Sequence, residues 1–401
     1  MAGVLAIRPR EVTSVGLVSI AHGFSHFYML LLAPLFPLLK AELGVSFAAL
    51  GALLTVHTAA SGVFQVPAGL LVDRFGARPV LLGGLVILSA PFALVPLVSG
   101  YWALMVLMLV AGIGNSVFHP AAASILSKQI DPNRLGRAFG IHLSAAYGGW
   151  LVVFPLMPRL AEFWGWEIAV GAAGVAGLVF VALATLFREA LSDRESATRG
   201  ARSSESRAKS GLIAVVTTPS VIAFFLFYVF IAMATAGITS FGVVAMVDLY
   251  GVSLVSSGDM LTGFFLAGMV GVLFGGLLAD RFKRHELMTA LAFAASGACV
   301  AIIGFGFVPV VLVVVLLFAS SLFTALVAPS RDVMVRDIAP PGAIGTVFGV
   351  VTSGFSVGGA VAPPFFGWIA DIGRPEFIFW ASGAVTVMCI VSVYGAAMAR
   401  R

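Results

Sequence analysis

Charge is what this 401-residue sequence has least of. Asp, Glu, Lys and Arg make up 10% of it, against 60% hydrophobic residues. Soluble globular chains carry about a quarter charged residues, and a chain this long with so few cannot cover its surface in water. The deficit excludes an ordinary soluble enzyme, a disordered chain and a disulfide scaffold, and leaves an all-α polytopic membrane protein. Cysteine is also scarce. Cys299 and Cys389 lie in apolar stretches, at a spacing that suits neither a zinc site nor a disulfide framework. No nucleotide-binding loop is present, so ATP-driven pumping has no support and no cofactor is expected. The net charge of +5 would suit a nucleic-acid partner only if it were clustered, and its distribution argues for membrane topology instead.

Long apolar runs are what the chain has in abundance. A bilayer-crossing helix needs roughly 20 mostly apolar residues. Uncharged runs at 12–39, 43–72, 138–158, 168–187, 260–279, 338–370 and 377–399 hold one span each, as does 210–247. The run 79–127 holds two, split near Ser99-Gly100, and 287–330 holds two, split near Phe307-Val308-Pro309. The total is twelve transmembrane helices. Runs this long are not barrel strands. The connections alternate sides, and all but Lys40, Arg159 and Arg374 of the 23 Lys and Arg fall on one side. That side includes 128–137, 188–209, 280–286, 331–337 and both chain ends. The positive-inside rule makes it cytoplasmic, which predicts a multi-pass protein of the cell's inner (plasma) membrane with both termini in the cytoplasm. Arg8 and Arg10 ahead of the first run resemble a signal-peptide start, but the run is longer than a signal core, and its removal would spoil the even count.

An internal repeat sets the architecture. Gly69-Leu-Leu-Val-Asp73-Arg74-Phe75-Gly76 recurs as Gly276-Leu-Leu-Ala-Asp280-Arg281-Phe282-Lys283. Pro120, Gly136 and Phe139-Gly140 recur at the same spacing as Pro329, Gly345 and Phe348-Gly349. Two matches in register indicate a duplicated six-helix unit: two pseudo-symmetric bundles at 1–187 and 212–401, joined by a polar cytoplasmic linker at 188–211. Such a duplication suits alternating access, with the solute held between two bodies near the midplane. The 45 glycines let helices approach closely.

The motif Gly69-x-x-x-Asp73-Arg74-x-Gly76-x-Arg78 resembles the signature loop of the major facilitator superfamily. Ala77 stands where the first of two paired basic residues is expected, and the second copy has Lys283 in place of its second glycine. An Asp at a helix end can accept from a neighbouring helix N-terminus or pair with Arg. The resemblance implies the major facilitator fold, with Gly69, Asp73, Arg74, Gly76, Arg78, Asp280 and Arg281 forming a latch that stabilises the outward-facing state. Gly112-Ile-Gly114-Asn115-Ser116-Val117-Phe118-His119-Pro120 is similar to the fourth-helix stretch of the fosmidomycin-resistance-type branch, as are Ser25-His26 and Pro37-Leu38-Leu39. This implies proton-driven drug export. One departure stands against it: Phe154-Pro155 replaces the Gly-Pro of the antiporter pattern on the fifth helix.

Within the spans as drawn from sequence, no Asp, Glu, Lys or Arg lies near a middle, so no cationic clamp is expected. Proton-coupled transporters need a titratable group on the pathway, and histidine, which gains and loses a proton near neutral pH, is the available one. His22, His26, His57, His119 and His142 all lie in first-half spans. His22 and His26 share a helix face, as do Asn115 and His119. These residues, with Gln65 and Tyr228, form the candidate solute and proton pathway, and His26 and His57 lead it by depth. Phe224, Phe225, Phe227, Tyr228 and Phe230 supply an aromatic wall in the second half. Thr235, Ser320, Thr324, Thr352 and Ser353 either reach solute or bond their own helices. The expectation is a monomeric secondary transporter, not an enzyme, whose partners are a small amphipathic organic solute, protons and the lipid bilayer. Proton-coupled efflux leads over uptake of an organic anion or metabolite by symport. A distant alternative is a membrane metalloenzyme built on the His22-x-x-x-His26 box, which lacks the further boxes such enzymes need, so no metal is expected.

Overall fold

The computed structural model describes residues 9–132, 134–187, 189–192, 217–282, 284–339 and 344–398. Most of the 188–211 linker, Lys283 and the side chain of Asp280 lie outside the described residues. Every regular element among those described is helical. In chain order these are α1 (Pro9–Met29), α2 (Phe36–Leu43), α3 (Phe47–Phe75), α4 (Ala77–Ala93), α5 (Tyr101–Asn115), α6 (Phe118–Gln129), α7 (Leu135–Trp164) and α8 (Trp166–Ala184). The second half continues with α9 (Pro219–Tyr250), α10 (Leu254–Arg281), α11 (His285–Ile303), α12 (Val310–Leu326), α13 (Ala328–Ile338), α14 (Ile344–Asp371) and α15 (Glu376–Met398). Among the described residues, eleven helices or near-continuous helix pairs are long and apolar enough to cross a membrane, and α4 is a further, shorter apolar helix.

Local chemistry explains the punctuation. Gly76, at φ +89°, turns the chain between α3 and α4, where a side chain would be strained. Ser253 caps α10 by accepting from the Ser256 N–H at 3.1 Å. The fourth span breaks between α5 and α6 just ahead of Pro120, and the Ser116 hydroxyl donates to the Ile113 carbonyl at 2.7 Å. The tenth span breaks between α12 and α13 just ahead of Pro329. Proline in a first turn gives up an N–H that has no helical partner there anyway. The sequence repeat thus reappears as the same interruption in each half.

Residues 331–337 are not the loop that their charges predict: they are helical and complete the tenth span as α13. Charge inside a span is tolerated when it is paired, and Arg331 and Asp332 are paired there.

The chain divides into two compact units. The first comprises residues 1–32, 56–153 and 159–202, and the second 33–55, 154–158 and 203–401. In the first, α4 packs on α5 and α8. Gly149 of α7 lies against the Gly23 backbone of α1, and Gly112 of α5 against the His57 backbone of α3. At both places a Cβ would collide with main chain. In the second unit α9 packs on α14 and α15, α10 on α12, and α11 on α12 and α15. Its core gathers Phe224, Phe227, Tyr228, Phe293, Met334 and Val351.

Candidate functional site

The close approach of α1 and α7 at Gly23 and Gly149 brings histidines from three helices together in the first unit. His22 stacks on His142 with ring centres 4.1 Å apart. It meets His26 edge-on at 4.6 Å and His119 at 5.6 Å. His26 also touches Trp150 at 4.6 Å. His22 Nδ1 donates to the His142 carbonyl at 2.9 Å. A carbonyl only accepts, so the neutral ring carries its proton on Nδ1 and leaves a lone pair on Nε2. That Nε2 is buried without a partner, as are Nδ1 of His26 and Nδ1 of His142. Burial is graded across the group: His22 and His142 are buried, His26 is half-buried and His119 is exposed. Among the described residues, no three His, Cys, Asp or Glu are placed to hold a metal ion.

Beside the histidines runs a short polar chain. The Ser25 hydroxyl donates to Asn115 Oδ1 at 2.5 Å, and Asn115 Nδ2 donates to the Ser61 hydroxyl at 3.1 Å. It ties α1, α5 and α3 together. His57 is fully buried one turn before Ser61, and neither of its ring nitrogens has a partner. No ring contact joins His57 to the other histidines among the described residues. Gln65 is exposed further along α3 and takes no part in these contacts. Ser61 and Trp150 are not legible as site residues in the sequence, because a lone Ser or Trp in an apolar run carries no periodic signal.

Tyr228 lies in the second unit, in different company. Its hydroxyl donates to Asp332 Oδ1 at 3.2 Å. The Arg331 guanidinium lies over the Tyr228 ring at 4.8 Å and over Phe355 at 5.6 Å, and its Nε donates to Asp332 at 3.1 Å. The second-half hydroxyls bond locally. Thr235 donates to the Ile231 carbonyl, Thr352 to Phe348 and Ser353 to Val350, while Ser296 bridges Ser320 and Thr324.

Of the latch residues, Gly69 sits near Pro120, with 4.0 Å between its would-be Cβ and the proline ring. Asp73 and Arg74 are exposed and Arg78 is half-buried around the Gly76 turn, with the Arg74 guanidinium 5.2 Å from the Phe75 ring. Arg281 closes α10.

At the opposite helix ends, within the second unit, a different contact appears. Asp371 receives Lys40 Nζ at 3.0 Å and the backbone N–H groups of Phe47 and Ala48 at 2.8 and 2.9 Å.

A sequence model of the Major Facilitator Superfamily matches residues 18–258 and 225–400. The chain belongs to the Major Facilitator Superfamily. It is therefore a multi-pass membrane transporter, and its relatives and fold are those of solute carriers rather than enzymes. It is 22% identical to the fosmidomycin resistance protein of Escherichia coli K12 over 98% of this chain and 96% of that one. It is 29% identical to a probable L-galactonate transporter of the same organism, over 34% of this chain and 31% of that protein. Solved structures share the fold. The nucleoside transporter NupG superposes at a TM-score of 0.79 with 12% identity, covering 97% of this chain and all of that one. A bacterial homolog of the human lysosomal transporter Spinster, in an inward-facing and occupied conformation, superposes at 0.76 with 14% identity, covering 99% and 98%.

Proposed function

We propose that this facilitator exports a small amphipathic organic solute from the cytoplasm in exchange for protons, and that the His22–His26–His119–His142 group carries the proton. The observation behind this reading is the open lone pair on His22 Nε2, buried within reach of three other imidazoles. Histidine titrates near neutral pH, and the ring contacts of His22 with His26, His119 and His142 join the four imidazoles into one group. The pattern match to the fosmidomycin resistance protein supports the outward direction. Residues 1–187 and 212–401 act as the two halves of an alternating-access cycle, joined by 188–211. The protein works as a monomer in the inner membrane, with both termini cytoplasmic. The Asp73–Arg74–Arg78 and Asp280–Arg281 loops latch one state of the cycle.

Proteoliposomes with an imposed pH gradient and a panel of amphipathic solutes test this. A solute that moves against the proton flux, with a pH profile that flattens in His22→Gln, is the expected result. Equal rates with and without the gradient would remove the coupling, and movement only with the proton flux would reverse the direction.

A further inference from the structure

The first unit holds an apolar groove that the transport reading above does not use. It lies between α3, α4 and the start of the break after α5, and holds about 460 Å³. Phe64, Leu71 and Phe75 line it from α3, Gly83 and Ile87 from α4, and Val117 from the break in the fourth span. Ser116 is its one polar lining residue, and that hydroxyl already donates to the Ile113 carbonyl. Such a groove takes hydrocarbon: a polar solute would give up its hydrogen bonds to water there and gain none. Gly83 leaves the space open. A Cβ there meets nothing within 4 Å, whereas one on the neighbouring Gly84 would strike Val117.

The groove is one leaflet deep. Along α3 its lining runs from Phe75, the last helical residue, back to Phe64, about 16 Å by helical rise. Half the hydrocarbon core of a bilayer is about 15 Å. Phe64, Leu71, Phe75 and Ile87 are all exposed, so the lining is open to the surroundings of a membrane-embedded chain. Two cations stand at the helix end where the groove begins. Arg74 and Arg78 flank the Gly76 turn, and the Arg74 guanidinium lies 5.2 Å from the ring of Phe75. Pro79, next to Arg78, is also part of the lining. Among the described residues neither arginine is paired with a carboxylate, and with Asp73 counted the turn is still net positive. Basic groups at the end of an apolar groove between spans match a phosphate headgroup carried on a hydrocarbon tail.

We propose that this groove binds one anionic phospholipid, with an acyl chain along α3 and α4 and the headgroup phosphate on Arg74 and Arg78. Gly83 keeps the room for the chain, and the two arginines select the charge of the headgroup. The groove and both arginines lie in the first unit, so the proposal does not depend on the solute, the direction of transport or proton coupling.

The test is native mass spectrometry of the delipidated full chain in non-ionic detergent, titrated with phosphatidylglycerol or with phosphatidylcholine of the same acyl chains. One phosphatidylglycerol is expected to bind about tenfold or more tightly than phosphatidylcholine, as two basic groups at a membrane surface imply. Replacing both arginines, Arg74→Gln with Arg78→Gln, should remove that preference and leave phosphatidylcholine unchanged. Gly83→Leu fills the groove from a position with open space, so it should fold and weaken both lipids several-fold. If the double arginine variant does not fold, the lipid comparison and Gly83→Leu decide alone. Arg374→Gln, at the opposite helix ends, should change neither lipid. Glycerol phosphate, a headgroup without chains, should not compete at the lipid's concentration. Equal binding of the two lipids, undiminished binding in Gly83→Leu, equal loss in Arg374→Gln, or full competition by glycerol phosphate overturns the proposal. So does a dimer that Gly83→Leu abolishes, which would give the groove to a second copy of the chain.

Discussion

Asp371 holds Lys40 across 331 positions of sequence, with Nζ and Oδ1 3.0 Å apart. The carboxylate also closes the start of α3 by taking the N–H groups of Phe47 and Ala48, one on each oxygen. Lys40 in turn lies 3.9 Å over the Phe47 ring. One acidic side chain thus serves as counter-ion and helix cap together.

The two roles separate by mutation. Lys40→Ala removes a partly exposed ion pair, worth about 0.2–1 kcal/mol. Asp371→Ala removes the pair and the cap, and a lost cap alone costs about 0.5–2 kcal/mol. Thermal denaturation in detergent should therefore rank Asp371→Ala clearly below Lys40→Ala. Equal melting temperatures would mean the two cap bonds contribute nothing.

His22 and Asn115 make opposite predictions. Asn115 bridges two hydroxyls, so Asn115→Ala strands both and should cost about 2–3 kcal/mol. His22→Phe keeps a flat ring against His142 and removes an acceptor that has no partner, giving up only the Nδ1–H bond to the His142 carbonyl. Its cost should be about 0.5–1.5 kcal/mol, below that of Asn115→Ala, while pH-dependent transport is lost. Melting curves of the two variants check the contrast. A His22→Phe protein as unstable as Asn115→Ala would make His22 a structural residue.

Adjacent glycines on α7 should behave differently. A Cβ on Gly149 meets the Gly23 carbonyl and the Phe27 N–H, whereas one on Gly148 meets nothing within 4 Å. Gly148→Ala should be neutral or stabilising by up to about 1 kcal/mol through helix propensity. Gly149→Ala must push α7 off α1, lowering the yield of folded protein and disturbing the His22–His142 stack. Expression yield and melting temperature of the pair, side by side, decide it.

Much of this arrangement is readable in the chain because it is local or repeated. The i,i+4 spacing of His22 and His26 places them on one helix face, and their rings touch. Pro120 and Pro329 recur in register, and each marks a break in its span. What could not be read depends on partners far away. His142 reaches His22 from 120 residues off, and Asp371 finds Lys40 only through the fold. From sequence Arg331 reads as a loop residue, because charge usually marks a loop in an apolar chain. Nothing local shows that Tyr228 and Phe355 would offer it two ring faces.

The paired interruptions in the fourth and tenth spans have a mechanical consequence. A continuous helix is stiff because each hydrogen bond braces the next turn, and a gap in that ladder removes the bracing. Force applied to α6 or α13 is therefore not carried rigidly into α5 or α12. His119 rides on the far side of one such joint from Asn115, and Arg331 on the far side of the other from Ser320. Each half is built like a jointed lever, and the residues that bear charge sit on the short arm.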